Sequence, residues 1–404
     1  MQVQQSESTP RANRKHIGLF GCRNAGKSSL INALTGQDLA IVSPQKGTTT
    51  DPVYKAMELL PLGPVVFIDT PGLDDEGELG AQRVQKAQQA LNKCDLALLL
   101  IDAQTGPSRA DEAILQLIRA KGIPCIQVWH KSDLRQALQP PPQCLNCIAV
   151  SSKTGSKITE LKAMMASLLA DKEESRHIIA DLISPGDLVL LVTPIDEAAP
   201  KGRLILPQQQ TIREILDHHG MALMTQLDEL PLLLSKLSSP PRLVVTDSQV
   251  FAQVAAKLPA ELPLTSFSML FARYKGDLAS TVRGVKQLQH LQDGDKLLIA
   301  EGCTHHRQCN DIGSVKLPGW INEFTGKKLQ YHFCSGGEFP ADLEQFSLVI
   351  HCGGCMLNER EMRYRLQSAA NQGVPISNYG VTIAYMHGIL KRSLQVFPEL
   401  RELL

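Results

Sequence analysis

The octet Gly21-Cys22-Arg23-Asn24-Ala25-Gly26-Lys27-Ser28 constrains this chain more than any other stretch. It has the spacing G-x-x-x-x-G-K-[ST] and sits between the apolar run HIGLFG at 16–21 and the helical pattern SLINALTG at 29–36. A strand, a glycine turn and a helix in that order predict a phosphate-binding loop at the edge of an α/β sheet. Glycines let backbone N–H groups close around phosphate oxygens, and the helix N-terminus adds partial positive charge. Lys27 is expected to reach the outer phosphates and the Ser28 hydroxyl to ligate magnesium, with Asn24, Ala25 and Ser29 sharing the loop.

Further motifs follow in the order that GTP hydrolysis requires. GTTTD at 47–51 offers the hydroxyls of Thr48 and Thr49 on a loop able to close over magnesium and the last phosphate. DTPG at 69–72 ends a strand with Asp69 toward the magnesium and Gly72 free to reorient when that phosphate leaves. Lys27, Thr49, Asp69 and Gly72 are the expected catalytic set, with magnesium on Ser28 and Thr49. HKSD at 130–133 and SSK at 151–153 follow two later strands.

This constellation resembles the translation-factor-related GTPases of the TrmE and Era-like group. The resemblance implies that Asp133 accepts two hydrogen bonds from guanine, with Lys131, Ser151, Ser152 and Lys153 around the base. His130 stands where the group has Asn, and an imidazole cannot supply an amide's paired donor and acceptor. Guanine choice is therefore expected to rest on Asp133. Leu73 follows Gly72 where Ras-like enzymes place a water-orienting Gln. Asn24 matches the position that helps hold a potassium ion in TrmE-like relatives, so slow, potassium-stimulated hydrolysis is expected.

At 404 residues the chain has room for two or three domains, and short apolar runs alternate with helical segments throughout. The expected class is α/β, in three consecutive domains. Residues 1–14 read as a flexible tail and 15–172 as the P-loop GTPase domain. Residues 180–262 read as a plain α/β domain suited to association, and 263–404 as a parallel-sheet domain. Equal numbers of basic and acidic side chains, 41 each, argue against a nucleic-acid surface. The longest apolar runs, such as LALLLI at 97–102, are strand-length, so no membrane span is expected. The N-terminal stretch lacks the apolar core of a secretory signal, and a cytoplasmic location is expected.

Cys303-Thr-His305 follows the strand candidate KLLIAEG, and His351-Cys352-Gly-Gly-Cys355 follows SLVI. Both sets end strands, and in an open parallel sheet such ends meet at a switch in strand order. Three thiolates with His305 or His351 would make a tetrahedral zinc site; three thiolates alone leave one iron of a 4Fe-4S cluster open. Spacing leaves both possibilities standing. The remaining cysteines read differently. Cys144 and Cys147, though spaced C-x-x-C, lie among the nucleotide motifs and read as incidental. Cys22, Cys94, Cys125, Cys309 and Cys334 read as packed small hydrophobes.

A TrmE-like domain followed by a plain α/β domain and a C-x-H … H-C-x-x-C pattern resembles the HydF family, the maturation GTPases of iron-iron hydrogenases. That resemblance implies a 4Fe-4S cluster on Cys303, Cys352 and Cys355, with His305 and His351 near it. It also implies a homodimer and a scaffold that delivers a di-iron precursor to apo iron-iron hydrogenase, with radical-SAM maturases as companions. The competing expectation is a TrmE/Era-like regulatory or RNA-associated GTPase with a structural zinc site.

Overall fold

The computed structural model describes residues 10–36, 52–72, 78–135, 144–170, 176–194, 204–302 and 311–403. Thr48, Thr49, Leu73, Cys303, His305 and Cys309 lie outside the described residues. The chain forms two compact units, Met1–Glu174 and Ser175–Leu404.

The first unit runs β1 (Lys15–Phe20), α1 (Lys27–Thr35), β2 (Val53–Leu59), β3 (Gly63–Asp69), α2 (Glu78–Leu91) and β4 (Leu96–Asp102). It continues with α3 (Arg109–Ala120), β5 (Cys125–His130), β6 (Cys147–Ala149) and α4 (Ile158–Ala170). The strands form one sheet in the order β2-β3-β1-β4-β5-β6. Helices cover both faces: Leu19, Leu30, Leu98 and Leu161 pack on one side, Phe20, Ile68, Leu99 and Ile114 on the other. Burial on both faces is why β1 and β4 read as continuous apolar runs rather than alternating ones. β2 is the exception to an all-parallel sheet, pairing antiparallel with β3 at the edge. Its sequence VYKAMEL is half exposed and carries no apolar run, so the sequence reading passes over it. α3 begins at Ser108, whose hydroxyl accepts from Asp111 N while the Asp111 carboxylate accepts from Ser108 N.

In the second unit β7 (Leu188–Val192), α5 (Leu206–Asp217), β8 (Met221–Thr225), α6 (Leu230–Lys236), β9 (Leu243–Thr246), α7 (Phe251–Lys257) and β10 (Leu264–Ser266) come first. Their strands make a parallel sheet ordered β10-β9-β7-β8. Then follow α8 (Phe267–Lys275), α9 (Leu278–Val285), β11 (Lys296–Ala300), α10 (Leu317–Thr325), β12 (Gln330–Cys334) and β13 (Leu348–His351). The chain closes with α11 (Glu359–Asn371), β14 (Ile376–Asn378), α12 (Tyr379–Met386) and α13 (Leu390–Ser393). The second sheet, also parallel, is ordered β12-β11-β13-β14.

The expected division at 262/263 falls just before β10. Leu264–Ser266 pair with β9, so they belong to the preceding sheet. The two sheets also share one continuous core, in which Leu190, Phe251, Phe271, Val282, Ile299, Ile350 and Ile383 are joined. After β11 the chain builds β12 on one side and then returns to place β13 on the other. That reversal makes the carboxyl ends of β11 and β13 a switch point in strand order, where Cys352 N donates to Ala300 O at 2.8 Å.

Candidate functional site

The carboxyl edge of the first sheet carries a cavity of about 1090 Å³. Its walls gather Asn24, Gly26, Lys27, Ser28 and Ser29 from the P-loop with Asp69 and Gly72 from the end of β3. His130, Lys131, Asp133, Ser152 and Lys153 close the opposite side. Motifs scattered over 130 positions thus meet because β1, β3, β4, β5 and β6 all end on one edge.

The turn into α1 is left-handed at Asn24 (φ 63°) and Gly26 (φ 97°), which aims successive backbone N–H groups inward. Lys27 Nζ donates to Gly21 O and Cys22 O, at 2.8 Å each, so the ammonium is folded across the loop. Ser28 Oγ donates to Asp69 Oδ2 at 3.4 Å. Burial raises the Asp69 carboxyl above its ordinary range, against the opposing pull of Lys27 and Ser28. Two oxygen donors this close fit a hard divalent cation, which would favour the charged form of Asp69.

On the guanine side, Ser151 Oγ donates to Asp133 Oδ1 at 2.6 Å and holds that carboxyl below its ordinary range. Lys131 Nζ donates to Asp102 Oδ2 at 2.7 Å. His130 resolves the departure noted in the sequence. Its Nδ1–H donates to Ala25 O at 2.9 Å, and its Nε2 accepts from Ser152 Oγ at 2.7 Å. Burial lowers its pKa, so the ring is neutral and this tautomer satisfies both partners. The imidazole therefore ties the P-loop to the 151–153 loop, and it lies so close to Gly26 that any Cβ there would collide with it.

The loop after β13 in the second unit holds the cysteine pair. Cys352 Sγ accepts N–H bonds from Gly302, at 3.0 Å, and from Gly354, at 3.4 Å. Gly354 is left-handed (φ 62°), and its missing Cβ leaves room for Met362 Sδ. Beneath the loop lies Lys275, 3% exposed, whose Nζ donates to Cys355 O and Leu357 O at 2.9 Å and Gly354 O at 3.3 Å. Burial lowers the Lys275 pKa to about 8, partly offset by Cys355 and Cys352. Burial raises the Cys355 thiol, with Lys275 pulling it back. Paired thiols with backbone N–H groups on the sulfur and a buried cation below suit a thiolate-bound metal centre.

His351, expected as a fourth ligand or as a neighbour of the cluster, has both ring nitrogens engaged within the protein. Its Nδ1–H donates to Cys352 O at 2.7 Å, and its Nε2 accepts from Arg365 Nη1 at 2.8 Å. Both nitrogens are occupied. Burial and Arg365 lower its pKa to about 3, so it supports the cysteine strand as a neutral ring rather than offering a ligand nitrogen. Arg365 is wholly buried and also binds Glu361 Oε1 through Nε (3.0 Å) and Nη2 (2.9 Å). Among the described residues no group of three His, Cys, Asp or Glu side chains assembles an ion site.

Sequence reasoning missed Lys275, Arg365 and Glu361. Helix α11 reads EREMRYRL, and nothing in that string tells which of its charges is covered. Cys334, the last residue of β12, is buried in the core. Cys144 and Cys147, read as incidental, are joined as a disulfide at the start of β6.

Comparison with known proteins fits this division. Residues 16–131 match the family described as 50S ribosome-binding GTPase. The tRNA modification GTPase MnmE of Herminiimonas arsenicoxydans is 40% identical over 123 residues, 30% of this chain and 26% of that protein. GTPase Der of Kosmotoga olearia is 37% identical over 29% of this chain and 28% of its own. The chain thus spans only about a quarter of the length of these curated relatives. Era of Aquifex aeolicus bound to GDP.AlF4- aligns with 52% of this chain and 91% of its own, at 22% identity and a TM-score of 0.34.

Sheet order, P-loop and guanine-side loop define the first unit as a P-loop GTPase domain. Behind it, residues 178–276 match the hydrogen maturase F dimerization domain and 279–396 the hydrogen maturase F tetramerization domain. The chain belongs to the hydrogen maturase F family. Among the described residues no helix is long and apolar enough to cross a membrane.

Proposed function

We propose that this chain is a GTP-hydrolysing scaffold that carries a 4Fe-4S cluster on Cys303, Cys352 and Cys355. In this reading it receives a di-iron precursor and delivers it to apo iron-iron hydrogenase, working in the cytoplasm as a homodimer beside radical-SAM maturases. The observation that carries the reading is the contact at the carboxyl ends of β11 and β13. There Gly302, the residue before Cys303, donates its N–H to Cys352 Sγ at 3.0 Å, in a chain that also holds a GTPase domain.

In the nucleotide site, Lys27 exchanges its two loop carbonyls for phosphate oxygens, and Asp133, oriented by Ser151, selects guanine. Ser28, Thr49 and Asp69 would hold magnesium, which would supply charge neutralisation to the phosphates. Leu73 orients no water, so hydrolysis is slow, and Asn24 offers an oxygen toward potassium. Gly72, packed against the Arg23 backbone, reorients when the last phosphate leaves. In the second unit Cys303, Cys352 and Cys355 would hold the cluster, which would supply an iron able to take an exchangeable ligand. Lys275 and the His351–Arg365–Glu361 chain fix the Cys352–Cys355 backbone around it.

The test is an anaerobic iron, sulfide and zinc assay with EPR of the reduced protein. About four irons and four sulfides per chain, lost on substituting Cys303, Cys352 or Cys355 by Ala, supports the scaffold. One tightly held zinc without sulfide replaces it with a structural-zinc GTPase. Equal hydrolysis in sodium and potassium removes the potassium role, and normal hydrogenase maturation by Lys27→Ala removes GTP hydrolysis from the delivery step.

A further inference from the structure

The lysine beneath the cysteine loop comes from the other domain of the second unit. Lys275 ends α8, which leaves the edge strand β10 of the first of the two sheets and falls within the dimerization-domain match at 178–276. The loop it grips, 352–357, belongs to the tetramerization-domain match. The sequence separation is 79 to 82 residues, and all three bonds go to backbone carbonyls: Gly354 O, Cys355 O and Leu357 O. A side chain that is 97% covered and spends its three N–H donors on one loop is not a solvated surface lysine. Its ammonium also sits 5.8 Å from the centre of the Phe271 ring, one turn back on α8.

We propose that Lys275 is a positioning residue for the metal centre. It clamps the Cys352–Cys355 loop and supplies a fixed positive charge beneath it, so that the dimerization domain contributes directly to the redox site. This rests on the cluster reading given above. The physical consequence is twofold. Three carbonyls that would otherwise point into a dry interior are neutralised, which stiffens the loop before any metal arrives. A buried positive charge beside the thiolates favours the more negative, reduced state of whatever they hold.

The test compares the full-length chain with Lys275→Gln, which keeps an N–H donor but loses the charge, and Lys275→Arg, which keeps the charge. In the metal-free protein, Lys275→Gln should speed hydrogen exchange of the 353–357 amides by about tenfold. After anaerobic reconstitution, an EPR-monitored titration should give it a lower midpoint potential than the natural protein, with Lys275→Arg unshifted. Unchanged exchange and potential in Lys275→Gln overturns the proposal, and faster exchange with an unchanged potential overturns its electrostatic half. Should Lys275→Gln fail to fold, a shifted potential in Lys275→Arg overturns that half instead, and an unshifted one supports it. Zinc without sulfide in the natural protein defeats the cluster reading alone, because the exchange measurement on metal-free chain still decides the clamp.

Discussion

The nucleotide cavity is walled by half-buried Lys27 and Asp69 and by exposed Asp133, whereas the cysteine loop rests on Lys275, Arg365 and Glu361, side chains that are almost entirely covered. The first arrangement suits a ligand that comes and goes, bringing its own charge and leaving the site hydrated. The second suits a centre whose surroundings stay fixed. Buried ionic groups cost several kcal/mol each in desolvation and persist only when every donor and acceptor is matched. Arg365 meets that condition through Glu361, His351 and the Gly336 carbonyl. The comparison teaches that the chain leaves charges partly open to solvent where it exchanges ligands and covers them where it must hold geometry.

The largest effect should come from removing one covered charge. Arg365→Met leaves Glu361 buried and unpaired, and is expected to destabilise the second unit by about 3–5 kcal/mol. Urea denaturation followed by Trp320 fluorescence measures it, with Trp129 as the reporter of the first unit. An unchanged midpoint would break the contrast, as would an equal loss in both units.

On the exposed side, Asp133→Asn should weaken GDP binding by about a thousandfold while admitting xanthosine diphosphate, because the site then mismatches the guanine edge. Fluorescent-nucleotide titration reads both. Stability should be unaffected, since Asp133 lies at the surface.

Protons sharpen the comparison further. His16 in the first unit and His351 in the second are buried and neutral, with pKa values lowered to about 4 and about 3. The unfolded chain takes up these protons near pH 6.5 and the folded chain does not. Stability is therefore full above that pH and is lost as pH falls toward the folded values. At pH 5 each histidine should cost about 2 kcal/mol. Urea midpoints from pH 8 to 5, read separately at Trp129 and Trp320, should both fall; His16→Gln should flatten only the first.

The smallest expected change is at His130. Asn at this position is too short to span Ala25 O and Ser152 Oγ together, so His130→Asn should weaken GDP binding by about tenfold. Tighter binding would show that the imidazole bridge serves no purpose in this pocket.

Much of the first unit was legible beforehand because its chemistry is written in contiguous strings. Gly21 to Ser28, Asp69 to Gly72, His130 to Asp133 and Ser151 to Lys153 each carry their own turn, and the parallel strands that precede them deliver all four to one edge. β2 was not legible, since an exposed antiparallel edge strand has no apolar run to announce it. The cysteine positions were visible as strand ends, but their support was not. Lys275 and Arg365 look in sequence like any lysine or arginine closing a helix turn.

By itself the sequence determined the α/β class, the phosphate loop and the strand ends on which the cysteines fall, because these depend on local periodicity and on glycine geometry. The tertiary structure decided which charges are covered, that His351 faces Arg365 rather than an open position, and that Lys275 crosses from one sheet's helix to the other sheet's loop. The physical reason is that burial depends on which surfaces meet, and those surfaces are brought together by strand order at separations of up to 82 residues.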